Sequence, residues 1–415
     1  MPARSIVDPR FPSELRRRRI ERGYSLRELA RSLHQGKTYL HELETGTKVP
    51  TVEVARRLDV GLDAGGELAA LVSADTGVRR RDVIAATGLA VTLPRTAAGY
   101  GRQVGADVPA QLVERTARLR RLDDYLGGAD TYRLFSAEVA ATAALIRDGA
   151  YTENTGQKLL AVLSEQAQLA GWSAFDAGAH TESDRLYRMS LDAARDADDQ
   201  ALVANAFAFL AYQELAHGRP GVDLATSAVE TAGDTATPGV RALLHCRRAW
   251  AHAVAGDAGS TETQLALGAT ALTEHDDRPD PDWVYWVDRS EIEIMTGRCW
   301  TVLHRPMRAI KTLEQVLDTY DDTHARDKSL YMSWLADAIL DGNEIEQACN
   351  VASRAIDLAA GVGSTRPYRR IGEVVDRTEP HKALECVSDL HAKFRTWTER
   401  RQLTAAATPD TPPNP

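Results

Sequence analysis

Gly23–Thr51, GYSLRELARSLHQGKTYLHELETGTKVPT, decides the reading of this 415-residue chain. Ser25-Leu26-Arg27-Glu28 spells a capping box. The Ser25 hydroxyl can accept from the Glu28 amide while the Glu28 carboxylate reaches back to the Ser25 amide. Leu26, Leu29, Ala30 and Leu33 then recur at helical spacing. His34-Gln35-Gly36 is a short turn, and Lys37 to Thr45 reads as another helix with Leu40 and Leu43 on its inner side, ended by Gly46. Upstream, Pro12 opens a helix from about Ser13 to Arg22 that stops at Gly23. Downstream, Pro50-Thr51 opens a fourth helix carrying Val52, Val54, Ala55 and Leu58, and a fifth spans Ala64 to Val72. Residues 1–73 are therefore expected to form a five-helix domain.

Two short helices joined by a Gly-containing turn inside a small helical unit make a helix-turn-helix pattern. Gly23–Thr51 resembles the lambda-repressor-like (XRE) helix-turn-helix family in its Ser cap, its LxxLA run and the helix ending in Glu44 before Gly46. The resemblance implies double-stranded DNA as partner and an ion pair from Glu44 to an arginine of the first helix, a place Arg19 can fill. It also marks a departure: Leu26 stands where the family often has a phosphate-touching Gln.

The first turns of a recognition helix face the major groove. Lys37, Thr38 and His41 fall on one outward face; Lys can donate to guanine and Thr can touch a base edge. Tyr39 is expected either to pack or to reach phosphate. Arg16 and Arg22 on the basic first helix, with Ser25, Arg27 and Lys48, complete the expected DNA-contacting set, because phosphate contacts supply most sequence-independent affinity. Charge agrees: residues 1–60 carry +5 in a chain of net −9.

Residues 74–107 read as a linker, with Gly99, Gly101 and Gly105 near its end. Arg79-Arg80-Arg81 before an apolar stretch imitates a twin-arginine export signal but lies far from the N-terminus. From Val108 to Gln402 the pattern is almost continuously helical. Turn signals at positions 178, 218, 256, 304 and 342 recur at near-regular spacing, the mark of stacked hairpins. Small residues stand where paired helices cross, with larger ones opposite: Ala167, Ala170 and Gly171 face Ser183, Tyr187 and Ser190 across Gly178. Gly297 with Leu313, and Ala348, Ala352 and Ala355 after Gly342, repeat the scheme.

Residues 157–360 resemble tetratricopeptide repeats, with helices at 108–126 and 129–148 as one cap and 366–376 and 380–402 as the other. The whole order resembles the actinobacterial XRE–tetratricopeptide regulators. By the family's pattern the inward positions fall at Glu165, Gln168, Trp172, Asn205, Tyr212, Trp250, Glu291 and Arg298. Amides there would clamp a backbone and aromatics would form pockets, so an extended ligand in an open trough is expected: a peptide, a small-molecule signal or a protein partner.

Other chemistries find little support. Gly36-Lys37-Thr38 lacks the upstream glycine and strand of a phosphate loop. The run from His275 to Asp282 fits no calcium loop and reads as an exposed acidic loop, so no metal or cofactor is expected. Cys246, Cys299, Cys349 and Cys386 are scattered, which fits a reducing compartment. No nucleophile–base spacing is recognisable, so catalysis is not expected. Pro2 to Arg22 lacks an apolar signal core, and the longest uncharged runs fall short of the roughly 18 residues a membrane span needs. The expected protein is all-α: a helix-turn-helix domain (1–73), a linker (74–107), a tetratricopeptide-like solenoid (108–403) and a disordered tail (404–415). Its expected function is a cytoplasmic, nucleoid-associated, homodimeric DNA-binding regulator. The rival is a repeat scaffold with a vestigial helix-turn-helix, favoured by Leu26 and the modest basic charge.

Overall fold

The computed structural model describes residues 6–7, 11–33, 36–45, 48, 50, 52–62, 64, 68, 72–73, 103–124, 126–320, 322 and 324–406. The chain divides into two compact units, 1–92 and 93–415.

The first unit holds β1 (Ile6–Val7), α1 (Phe11–Glu21), α2 (Leu26–Ser32), α3 (Lys37–Glu44), α4 (Val52–Leu62) and β2 (Val72–Ser73). Its core is Phe11, Leu15, Leu29, Leu40, Leu43, Leu58, Leu62 and Leu68. The first helix starts earlier than expected because Phe11, with Pro12 in the first turn, supplies a fully buried ring. The expected fifth helix is corrected at its end. Val72 and Ser73 pair antiparallel with Val7 and Ile6, so a short strand after α4 returns to one that precedes α1. Most of residues 65–71, and the segment from 74 to 102 with its arginine run, lie outside the described residues.

The second unit is built from helices α5 (Val108–Asp123), α6 (Gly128–Asp148), α7 (Glu153–Asp176), α8 (His180–Asp196), α9 (Gln200–Ala216), α10 (Val222–Ala232), α11 (Pro238–Val254), α12 (Ala258–Ala271), α13 (Arg289–Val302), α14 (Pro306–Leu317), α15 (Ala325–Asp341), α16 (Ile345–Ala359), α17 (Arg366–Thr378) and α18 (Glu385–Ala406). Five hairpins, α7/α8 to α15/α16, turn at the left-handed residues Gly178, Gly218, Gly256, His304 and Asn343. The last is one position past the expected Gly342. Crossing points use the small-against-large rule: a Cβ on Gly171 would lie 2.6 Å from the Tyr187 ring, and Ser164 meets Ser190 at 2.9 Å.

Three boundaries shift. Val104 is buried and its amide donates to the Ala150 carbonyl at 2.9 Å, so residues 103–107 belong to this unit rather than to a linker. The last helix runs to Ala406, into the expected tail. The acidic loop is only partly a solvated run. Asp277 is exposed, but Asp280 accepts from the Gly239 amide at 2.9 Å, and Asp282 opens a 3-10 turn (Asp282–Val284) and pairs with Arg120 and Arg121.

The array also closes on itself. Asp176, at the end of α7, accepts from the Gly128 amide (2.7 Å), Ser364 Oγ (2.7 Å) and Arg366 Nε (2.6 Å), while its carbonyl takes the Thr365 amide (2.8 Å). Arg326 on α15 reaches Asp123 on α5 at 3.0 Å. The early helices α5 to α7 therefore meet α15 and the start of α17 around one buried charge network.

Candidate ligand cavity and helix-turn-helix surface

Closure turns the expected open trough into a cavity of about 490 Å³. Of the expected inward residues, Glu165, Gln168, Trp172, Asn205, Tyr212, Glu291 and Arg298 line it. Trp250 does not: it is buried behind the wall, edge-on to Trp334 at 5.2 Å, with the Arg298 guanidinium 4.4 Å from its ring centroid. Arg247, one turn earlier on α11, takes the lining place. The lining also includes Arg120, Asp123, Trp286, Arg326, Tyr331 and Arg366, which sequence reading missed. Arg247 was within reach as a register shift of one turn. The others reach the cavity from the caps, the long α12–α13 connection and α15, and only ring closure brings them together.

Most lining charges are paired. Glu165 holds Arg120 at 2.7 Å, and Arg326 Nε lies 3.1 Å from Asp327. The amides bond to each other: Asn205 Nδ2 donates to Gln168 Oε1 at 2.6 Å, and Gln168 Nε2 donates to the Leu202 carbonyl at 3.3 Å. Burial opposes ionisation of Asp176, but Arg366 and Arg326 prevail and hold it below the usual carboxylate range. Burial would raise the Tyr212 phenol, yet the fields of Arg298, Arg366 and Arg247 bring it down to about 8. For Glu291 burial wins over Arg298 and Arg247 and pushes its carboxyl up to about 7. Two lining groups thus change charge near neutrality, side by side with three guanidiniums.

In the first unit, Ser25 and Glu28 form the expected box, with the Glu28 amide 3.2 Å from Ser25 Oγ and the Ser25 amide 2.8 Å from Glu28 Oε2. Arg19 grips Glu44 with two bonds of 2.6 and 2.9 Å and also donates to the Tyr24 carbonyl at 2.8 Å. This fork fixes α3 against α1 in the way the family resemblance implied. Residues 11–72 match the family model of a helix-turn-helix domain. No curated protein matches the chain.

On the helix-turn-helix domain, Arg16, Arg22, Arg27, Lys37 and His41 are exposed. Thr38 lies on α3, but its side chain is outside the described residues. Ser25 is spent on its cap. Tyr39 packs: it is half-buried against the core, with the Lys48 ammonium 5.5 Å from its ring centroid and 3.2 Å from Glu42. Helix α3 presents Lys37 and His41 to solvent, braced from behind by Leu40 and Leu43. No helix among the described residues is long and apolar enough to cross a membrane.

Proposed function

We propose that the chain is a transcription regulator of the XRE type, in which the helix-turn-helix domain reads duplex DNA and a tetratricopeptide-like array senses a ligand. The observation that carries this reading is the helix-turn-helix match over residues 11–72 together with solvent-facing Lys37 and His41 at the start of α3. Lys37, His41 and Thr38 read base edges, while Arg16, Arg22 and Arg27 engage phosphates. One such domain makes too few contacts for tight binding, so the regulator acts as a homodimer on paired half-sites. It works in the cytoplasm on the nucleoid. We read the array as binding rather than catalysing; two of its lining carboxylates, Glu165 and Asp327, are committed to Arg120 and Arg326. The cavity of about 490 Å³ favours a small ligand over a long extended one. It changes DNA affinity by binding one arrangement of the protein better than another.

Selection of bound genomic fragments, followed by mobility shift with the enriched sequence, tests the DNA half. Lys37→Ala with His41→Ala should lose about 1–3 kcal/mol of sequence preference per contact. Equal discrimination by the double variant overturns the recognition assignment. Light scattering that finds monomer both free and on DNA overturns the dimer.

A further inference from the structure

We propose that the cavity of the second unit takes a small aromatic carboxylate, its anion held by Arg247 and Arg298 and its ring lodged against Trp172, Phe209 and Trp286. This rests on the reading of the array as a ligand sensor and specifies what it senses.

The first argument is a guanidinium pair without a close ion pair: Glu291 acts on both from a distance, but no carboxylate among the described residues bridges to either. Arg298 is 4% exposed, yet among the described residues no carboxylate lies within 4 Å of it. Its Nη2 donates to Tyr212 Oη at 3.2 Å and its Nη1 reaches only Met295 Sδ at 3.3 Å, while Nε has no partner. Arg247 is half-buried and among the described residues makes no ion pair; its guanidinium lies 5.0 Å from the Tyr212 centroid and 5.7 Å from that of Trp286. The other lining arginines, Arg120, Arg326 and Arg366, all have carboxylate partners. Burying an unpaired guanidinium is costly, so this pair is the place where an incoming anion gains most. A planar fork suits a carboxylate, which it can meet with two parallel bonds.

The second argument is shape and charge. A cavity of about 490 Å³ holds a ligand of one or two rings, not a peptide chain. Trp172, Phe209 and Tyr212 form one aromatic wall, with Trp172 centroids 6.1 and 5.7 Å from the other two. Asp124 and Asp288 also line the space and would repel a dianion more than a monoanion, which favours a single carboxylate over a phosphate.

The test uses the full chain with benzoate, indole-3-acetate and 2-naphthoate as probes, their neutral amides as isosteres, and 2-naphthyl phosphate. Binding is read by calorimetry and by the shift in melting temperature. At least one carboxylate should bind at least tenfold tighter than its amide and than the phosphate. Arg247→Gln and Arg298→Lys should each weaken it at least tenfold; the lysine keeps the charge and loses the fork. Arg247→Gln breaks no ion pair, so its fold is expected to stay intact even if Arg298→Lys melts early. The proposal is overturned if none of the three carboxylates binds, if amides bind equally, if the phosphate binds tighter, or if Arg247→Gln binds like the parent protein. A mobility shift on the same preparations separates the two readings. Carboxylate binding without DNA binding sinks the regulator and leaves the cavity, and DNA binding without carboxylate binding does the reverse.

Discussion

The two units spend arginine in opposite ways. On the helix-turn-helix domain Arg16, Arg22 and Arg27 are exposed, and Arg19 is turned inward to brace Glu44. In the repeat unit Arg120, Arg298 and Arg326 are buried, and half-buried Arg366 and Arg247 join them around the cavity. An exposed guanidinium keeps its hydration and attracts a polyanion over a distance, with salt screening every contact. A buried one has already lost its water, so it must be matched in place, atom for atom. The same side chain thus yields a diffuse field in one unit and a fitted site in the other.

The sharpest way to break this contrast is to remove a fitted partner. Asp176→Ala leaves Arg366 and the Gly128 amide without their acceptor, and should destabilise the repeat unit by about 3–5 kcal/mol in denaturant titration. A loss below ~1 kcal/mol would mean the network is ornamental. Next comes salt. If the helix-turn-helix domain makes about four phosphate contacts, its DNA affinity should fall on the order of a hundredfold between 50 and 200 mM salt. Binding of 2-naphthoate at the buried arginines should change far less over the same range. Equal salt slopes would erase the distinction between the two units.

A smaller effect belongs to Glu291. Its folded pKa of about 7 lies above the ordinary 4.5, so the folded state holds the proton more tightly. Its contribution to stability is therefore fullest below pH 4.5 and is lost as pH rises through 7. Glu291→Gln should remove that loss and gain about 3 kcal/mol over the parent at pH 8, with the two converging near pH 4. Divergence at low pH would contradict the assignment. The smallest change is expected at the water-facing end: Ser25→Ala should cost the helix-turn-helix domain about 1 kcal/mol through its lost cap, without touching the repeat unit.

The sequence carried the local rules well. The capping box and the turns at Gly178, Gly218, Gly256 and His304 lie where residue chemistry and spacing placed them, because they depend on neighbours a few residues away or on a repeated pattern. The Arg19–Glu44 pair, 25 residues apart, lies where the family resemblance implied it. Ring closure was not legible. Asp176 and Arg366 are separated by 190 residues, and Arg120 and Asp282 by 162. No periodicity links such pairs. They meet only because the curvature of each hairpin accumulates around the array. The cavity residues supplied by α5, α15 and α17 were invisible for the same reason, and Trp250 was misplaced by a one-turn register error on α11.

The closure through Asp176 also changes the mechanics of the repeat unit. An open solenoid is a spring: each hairpin touches only its neighbours, so the array can stretch, and its end repeats can peel away one at a time. Here α7 is fastened to the segment leading into α17, which makes the array a hoop. Strain applied at any hairpin is returned around the circle instead of escaping at a free end. Swelling or shrinking the hole in the middle must then move every hairpin together, which is the geometry by which a molecule of one or two rings can be felt across the whole repeat unit.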